Sequence, residues 1–256
     1  MGRVQERLRV LFGTDDVVLP LSCSGTGAMT AAVYSLFTPG QRVLVVEGGK
    51  FGQRWREIAV SRGLEVTTLE VPWGEAVDPQ AVATALKADP GIAAVLIQHS
   101  ETSTGVLHPV EEVARITRDT DTLLLVDGIS AVSLAPCPMD QWGIDCLVTG
   151  SQKGLMLPPG LALLALSPRA WKRAESVTPG CFYFNLPKER AKIAQGQTLF
   201  TSAVNLVVGL DESLEMLLEN GLEAIYAKQW ALTMLARAGV AAMGLELYAK
   251  THFAWG

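Results

Sequence analysis

Residues 93–127, AAVLIQHSETSTGVLHPVEEVARITRDTDTLLLVD, contain two short apolar runs on either side of a stretch with helical spacing. The runs, AAVLIQ (93–98) and TLLLVD (122–127), are apolar along most of their length rather than at alternate positions. Such runs are typical of parallel strands that are buried on both faces, and a helix usually connects two of them. The segment therefore predicts two parallel strands of one sheet.

The same alternation continues on both sides of this unit. Upstream, three apolar runs are each followed by a stretch with helical spacing: VVLPLS (17–22), RVLVVE (42–47) and LEVTTLEV (64–71). Downstream come two more apolar runs, DCLVT (145–149) and LALLAL (161–166). Strands that alternate with helices predict an α/β protein, in which a doubly wound, mostly parallel sheet is covered by helices on both faces.

The pattern changes after residue 176. Residues 176–200 show no clear periodicity, whereas 203–219 and 221–238 have the spacing of a helical pair. The apolar stretch VAAMGLELYAK (240–250) predicts a further strand, shortly before the sequence ends at THFAWG. We therefore expect a large domain over residues 1–238 and the start of a second, smaller domain over residues 239–256.

Composition narrows the class of protein. The net charge is −5 and the 21 basic residues are scattered, which favours neither a nucleic acid nor a membrane surface as partner. The four cysteines lack C-x-x-C spacing, so we expect reduced thiols rather than disulfides or a metal site. No apolar run approaches the ~20 residues of a membrane span, and we expect a cytoplasmic protein.

Ligands of parallel sheets bind beyond the carboxyl ends of the strands, so the residues that follow each strand are candidates for chemistry. After the first run, Ser24, Gly25 and Thr26 precede a helix, where free N–H groups and hydroxyls favour an anion such as phosphate. A capped turn without a ligand has the same composition. After the second run, Phe51 is either a ring that stacks on a planar ligand or an aromatic of the core.

Three further candidates follow the later strands. The segment HSETSTG (99–105) offers hydroxyls to a polar ligand or to its own turn, and His99 is expected to be packed rather than to act as a base. Asp127 ends a buried run, where a carboxylate needs a cation unless it only caps a helix. Lys153 is either a solvated loop lysine or a nucleophile that an enclosed site activates.

One ligand, pyridoxal 5′-phosphate, accounts for all five features. It needs an anion-binding turn, an aromatic ring to stack on, nearby hydroxyls, a lysine that forms a Schiff base and an aspartate that pairs with the pyridinium nitrogen. We therefore expect Lys153 and Asp127 to be the catalytic pair of an enzyme that removes the α-proton of an amino acid.

Five motifs give the chain a resemblance to a known family: SGTG (24–27), KFGQRW (50–55), ETSTGVLHP (101–109), LLLVDGISA (123–131) and GSQKGLMLPPG (150–160). It resembles the class V, fold-type I pyridoxal-phosphate aminotransferases, most closely their alanine:glyoxylate and serine:glyoxylate (or serine:pyruvate) branch. The resemblance extends over nearly the whole chain. It implies a three-layer sandwich around a mostly parallel, mixed sheet.

The resemblance also implies a role for each candidate residue. Lys153 would carry the cofactor and move the proton, while Asp127 binds the ring nitrogen. Phe51, in place of the tryptophan often found there, and Ile129 would cover the two ring faces. The phosphate would be held by Ser24, Gly25, Thr26 and Gln152, and Thr102 would lie near the ring substituents. The segment QTLFTSAVNL (197–206) resembles one that reaches a partner subunit's site, so Thr201 would contact the phosphate across a homodimer interface.

Two segments of the family are expected to be missing, a glycine- and proline-rich N-terminal segment and a C-terminal domain. That domain carries the arginine that pairs with the substrate carboxylate, and no arginine of this chain occupies the corresponding motif. The leading hypothesis is a transaminase that moves the amino group of alanine or serine to glyoxylate or another 2-oxo acid. The alternatives are a cysteine desulfurase-like or other lyase, and a truncated, catalytically inactive member of the fold.

Overall fold

The computed structural model describes residues 1–250, in which seven strands form one twisted sheet and two form a short hairpin. The strands are β1 (Val18–Leu21), β2 (Arg42–Glu47), β3 (Glu65–Glu70), β4 (Ile92–Gln98), β5 (Ser100–Glu101), β6 (Val106–Leu107), β7 (Leu123–Asp127), β8 (Cys146–Gly150) and β9 (Ala162–Leu166). The large sheet has the order β1-β9-β8-β7-β4-β2-β3, and β5 pairs with β6.

Ten helices accompany these strands in the described residues. They are α1 (Gly2–Phe12), α2 (Gly25–Leu36), α3 (Lys50–Ser61), α4 (Pro79–Ala88), α5 (Val110–Thr117), α6 (Met139–Trp142), α7 (Pro168–Ser176), α8 (Leu186–Ile193), α9 (Val204–Leu218) and α10 (Leu222–Ala242). Several N-cap residues accept a hydrogen bond from an N–H of the first helical turn through a side-chain oxygen. Ser24, Asp78 and Ser167 cap α2, α4 and α7 in this way.

Strand direction brings the carboxyl ends to one edge of the sheet. The pairs β7–β8, β4–β7, β2–β4 and β2–β3 are parallel, whereas β9 is antiparallel to both of its neighbours, β1 and β8. Two reversals restore the original direction, so β1 runs parallel to β8. Six of the seven strands therefore end at the same edge, and the turns that follow β1, β2, β4, β7 and β8 can meet there.

The core lies in two layers, one on each face of the sheet. Along β7, Leu124 and Val126 belong to one apolar cluster and Leu123 and Leu125 to the other. Helices α1, α4, α5 and α9 pack on the first face, and α2, α3, α7 and α8 pack on the second. This arrangement confirms the predicted α/β class with a mostly parallel, mixed sheet between two helical layers.

The structure departs from the sequence-based expectations at residues 240–250 and in several elements that the sequence did not predict. The strand predicted at residues 240–250 is wrong, because α10 continues to Ala242 and residues 243–250 contain no strand. Helix α10 ends in a C-cap in which the Leu245 N–H donates to the Val240 carbonyl at 3.2 Å and Gly244 adopts a φ of 73°. A short apolar run does not by itself distinguish helix from strand. Helices α1, α6, α7 and α8 and the β5–β6 hairpin were not predicted.

The boundary between the two predicted domains falls inside α10, which continues through residues 238 and 239. The division into 1–238 and 239–256 thus stays a prediction, and residues 251–256 of it lie outside the described part. Within residues 1–250, no helix is both long and apolar enough to cross a membrane.

Candidate active site

A cavity of about 210 Å³ lies at the edge where the parallel strands end. The turns after β1, β2, β4, β7 and β8 and the first turns of α2 and α3 enclose it. Its lining contains all the predicted site residues except Thr201, namely Ser24, Gly25, Thr26, Phe51, Thr102, Asp127, Ile129, Gln152 and Lys153. Three further residues, Arg54, Ser100 and Ser130, complete the lining and were not among the predicted site residues. Residues far apart in sequence are thus brought to one small site.

Asp127 places a buried carboxyl group in this cavity. It is the last residue of β7, between β4 and β8, and it is 4% exposed. Its Oδ1 accepts a hydrogen bond of 2.8 Å from the Ile129 N–H, which is the hydrogen bond that its side chain makes among the described residues. Burial raises the pKa of Asp127 from 3.8 to about 7, a rise that the Ile129 bond only partly offsets. A cationic ligand at this carboxyl would remove the cost of its ionisation.

Lys153 lies in the turn that follows β8. Its backbone N–H donates to the Gly150 carbonyl at 3.4 Å, and Leu157 N–H donates to the Ser151 carbonyl at 2.9 Å. The next residue must be small, because a Cβ at Gly154 would lie 2.0 Å from Ser133 Oγ. The half-buried Lys153 side chain lines the cavity and has no carboxylate within 4 Å among residues 1–250.

The first turn of α2 forms one wall of the cavity. Ser24 caps the helix by accepting from the Gly27 N–H at 3.4 Å. The N–H groups of Gly25 and Thr26 have no acceptor among the described residues, as is usual for a first helical turn. Unsatisfied N–H groups at a helix N-terminus favour an anion, and the exposed Gln152 lines the same cavity.

Phe51 and Ile129 are the two large apolar side chains of the lining. Phe51 lies in the first turn of α3 and is half-buried, whereas Ile129 is 9% exposed and follows Asp127 by two residues. The α2 backbone approaches Ile129 so closely that a Cβ at Gly25 would lie 2.4 Å from Ile129 Cδ1. Thr102 and Ser130 are joined by a hydrogen bond of 2.6 Å between their hydroxyls.

Glu101 fixes the position of Phe51, a role that sequence reasoning missed. It is fully buried, and its Oε2 accepts from the N–H groups of Phe51 (3.0 Å) and Gly52 (3.1 Å). Its Oε1 accepts from both the N–H (3.1 Å) and the hydroxyl (2.6 Å) of Ser103. The sequence offered one indication, since the N-cap of α3 is Gly49, which has no side chain to cap the helix. A negative charge at this end also suits the helix dipole.

Two other predicted residues lie away from the cavity. His99 is 3% exposed, packs edge-on against the Trp142 ring with 5.8 Å between centroids, and has its pKa lowered to about 3, mainly by burial. It is a packed, neutral residue, as expected. Thr201 is exposed and lines a separate crevice with Ser22 and Phe200. Its contact with a partner's phosphate stays a prediction.

The cysteines and acidic residues of the described part form no further centre. All four cysteines are free thiols. Burial raises the pKa of Cys23 and of Cys137 to about 12, so both stay protonated. No group of three or more His, Cys, Asp or Glu side chains within residues 1–250 is arranged to hold a metal ion.

Sequence comparison finds curated relatives over almost the entire chain. A soluble hydrogenase 42 kDa subunit of Anabaena cylindrica is 38% identical over 99% of this chain and 67% of its own length. An L-aspartate–glyoxylate aminotransferase of Paracoccus denitrificans is 38% identical over 94% of this chain and 62% of its own. A serine–glyoxylate aminotransferase of Methylorubrum extorquens is 34% identical, with 96% and 64% covered. The chain therefore spans about two thirds of the length of these relatives.

Solved structures and a family match lead to the same assignment. The structure of an alanine–glyoxylate aminotransferase from Nostoc sp. superposes with a TM-score of 0.90 at 30% identity, covering 96% of this chain and 66% of that one. Residues 1–252 match the family Aminotransferase class-V. The family and its structural neighbours imply pyridoxal phosphate as cofactor. This chain belongs to the class-V aminotransferases.

Proposed function

We propose that the chain is the cofactor-binding part of a pyridoxal-phosphate-dependent transaminase. The observation that carries the proposal is the juxtaposition of Asp127 and Lys153, which reach one small cavity from adjacent strands although 26 residues separate them. The predicted reaction transfers the amino group of alanine or serine to glyoxylate or another 2-oxo acid.

The cavity fits pyridoxal phosphate in four respects. Asp127 is a buried carboxyl whose ionisation lacks a bonded cation, and a protonated pyridine nitrogen would supply one. The N–H groups of Gly25 and Thr26 lack acceptors, and a phosphate would supply them. Phe51 and Ile129 offer apolar surface to a flat ring. The volume of about 210 Å³ suits one small ring compound rather than an extended dinucleotide.

Each side chain then has a defined task in the reaction. When bound, pyridoxal phosphate supplies an electron-accepting ring that makes the α-hydrogen of an amino acid removable. Asp127 would hold the proton at the ring nitrogen, which would keep the ring electron-poor. Lys153 would be the residue to which the cofactor is attached, and its free amine would accept the proton from the substrate α-carbon. Glu101 holds Phe51 at the cavity, and Ile129 is the other large apolar side chain of the lining.

The names of the relatives support glyoxylate as the amino-group acceptor better than they support any one amino-group donor. Three similar proteins carry glyoxylate in their names, whereas the named donors are aspartate, serine and alanine. We retain alanine or serine as the donor. The cysteine desulfurase alternative has less support, because no cysteine lines the cavity among the described residues and the Cys23 thiol stays protonated.

The test is amino transfer by the purified 256-residue chain loaded with pyridoxal phosphate. We expect pyruvate and glycine from alanine and glyoxylate, and no product from the Lys153→Ala variant. Lys50, which lies at the start of α3 outside the cavity, gives a matched control in Lys50→Ala. Cofactor binding without amino transfer from alanine, serine or aspartate would contradict the proposed activity and support the inactive alternative.

We further propose a homodimer in which Thr201 contacts the partner's cofactor phosphate, a cytoplasmic location, and a second domain that begins near residue 239. The large exposed hydrophobic residues near Thr201 support the dimer: Phe182, Tyr183 and Val204 are 85%, 44% and 66% exposed. Exposed apolar patches of this kind are usual at protein interfaces. Sedimentation of the loaded chain tests this part, and a monomer at micromolar concentration would contradict it.

A further inference from the structure

Arg54 is a cation of the cavity that sequence reasoning did not assign. It lies one turn after Phe51 on α3, is half-buried, and its guanidinium carbon lies 4.9 Å from the centroid of the Phe51 ring. Its Nη1 donates to Thr26 Oγ1 at 3.2 Å. Arg54 thus links the aromatic wall to the first turn of α2.

Neither of these contacts neutralises the Arg54 charge. Thr26 offers a neutral hydroxyl and Phe51 a ring face, and no carboxylate lies within 4 Å of the guanidinium among residues 1–250. Arg56, two residues later on the same helix, is instead paired with Glu47 at 2.7 Å. A half-buried guanidinium without an anion is costly, because it loses hydration without gaining a counter-charge. This geometry indicates that the counter-charge of Arg54 is supplied by an anionic ligand of the cavity.

The other charged residues of the cavity indicate which group of the cofactor Arg54 would bind. Arg54 and Lys153 are the cationic side chains of the lining, and Asp127 is its carboxyl. Under the proposed function, Lys153 is committed to the cofactor aldehyde and Asp127 to the ring nitrogen. The cofactor phosphate, with close to two negative charges, then needs a permanent cation, and a guanidinium stays charged at every relevant pH.

We infer that Arg54 is the side-chain cation of the phosphate subsite, where it acts together with Thr26 and the free N–H groups of Gly25 and Thr26. The inference rests on the proposed function and goes beyond it, since it assigns a phosphate ligand outside the Ser24–Thr26 turn and Gln152. An arginine serves this purpose well, because its planar fork can donate to a phosphate and to the Thr26 hydroxyl at once.

The experiment compares two ligands that differ only in the phosphate. Apo-protein is titrated with pyridoxal 5′-phosphate and with pyridoxal, and binding is followed by tryptophan fluorescence and by absorbance. The variants are Arg54→Gln, the charge-preserving Arg54→Lys, and the control Arg56→Gln on the same helix. Thermal unfolding of each apo-variant checks that it is folded. Inorganic phosphate then serves as a competitor for wild type and Arg54→Gln.

We expect Arg54→Gln to bind pyridoxal 5′-phosphate about 30-fold more weakly, as loss of a charge-assisted hydrogen bond implies. Its affinity for pyridoxal should change less than about threefold, Arg54→Lys should recover part of the loss, and Arg56→Gln should match wild type. Competition by inorganic phosphate should weaken in Arg54→Gln.

Three results would overturn the inference. Equal losses for the two ligands would mean that Arg54 only supports Phe51 and α3. Unchanged affinity for pyridoxal 5′-phosphate, with a raised KM for the amino donor, would place Arg54 at the substrate carboxylate instead. In both cases wild type still binds the cofactor and the proposed function stands. If wild type binds neither ligand, the proposed function fails and this inference fails with it.

Discussion

The Asp127→Asn substitution should make the cofactor-free protein more stable above neutral pH. The Asp127 carboxyl is 4% exposed, and burial raises its pKa from 3.8 to about 7. An asparagine has nearly the same shape, can accept the 2.8 Å hydrogen bond from the Ile129 N–H, and has no charge to desolvate. At alkaline pH only the wild type must bury an anion.

The magnitude follows from the linkage between protonation and folding. The unfolded chain releases the Asp127 proton near pH 3.8, whereas the folded chain holds it up to about pH 7. Between these values the folded state binds more protons, so the free energy of unfolding falls as the pH rises, by about 1.4 kcal/mol per pH unit. The free energy of unfolding falls by about 4 kcal/mol in total. None of this loss occurs below the pKa of Asp127 in the unfolded chain, and all of it has occurred above the pKa in the folded chain.

Urea denaturation of the apo-proteins across this pH range measures the difference. The unfolding free energies of wild type and Asp127→Asn should coincide at the acid end and diverge by about 4 kcal/mol at the alkaline end. The control is Asp121→Asn, in the exposed turn before β7, which should follow wild type throughout. Two parallel curves for wild type and Asp127→Asn would refute the claim that this carboxyl is buried without a counter-charge.

Substitutions at three further positions test the walls of the cavity. Glu101→Ala should lower the unfolding free energy by about 3 kcal/mol, because four donors lose their carboxylate acceptor and one of them, the Gly52 N–H, is buried. Urea denaturation measures this, and a change below about 1 kcal/mol would contradict it. Gly25→Ala should weaken pyridoxal phosphate binding through its clash with Ile129, and an unchanged titration would show that α2 can move. Phe51→Ala should weaken the same binding by about tenfold and Phe51→Trp should restore it; equal affinities in all three proteins would exclude stacking.

The strand ends and the residues after them were predictable because local sequence encodes them. A run that is apolar along its length indicates a strand buried on both faces, and parallel strands share one carboxyl edge. Asp127 and Lys153 could therefore be placed together from the sequence alone. The direction of β9 could not be predicted, since a short apolar run carries no information about strand direction.

The contacts that hold the walls of the cavity were not predictable from local sequence. Glu101 meets Phe51 across 50 residues of sequence, and Arg54 meets Thr26 across 28. Both pairs depend on how α3 packs against α2 and the strand ends, which periodicity does not specify. Glu101 and Arg54 lie within two of the motifs that carry the family resemblance, but neither motif by itself indicates which residue each side chain contacts.

The most direct test of the account is the site at which pyridoxal phosphate attaches to the protein. The loaded chain is reduced with borohydride, digested, and mapped by peptide mass spectrometry. We predict an absorbance band at about 410–430 nm before reduction and a pyridoxyl group on Lys153 after it, with neither in Lys153→Ala. A modification that is absent, or that is found on another lysine and persists in Lys153→Ala, would contradict the account.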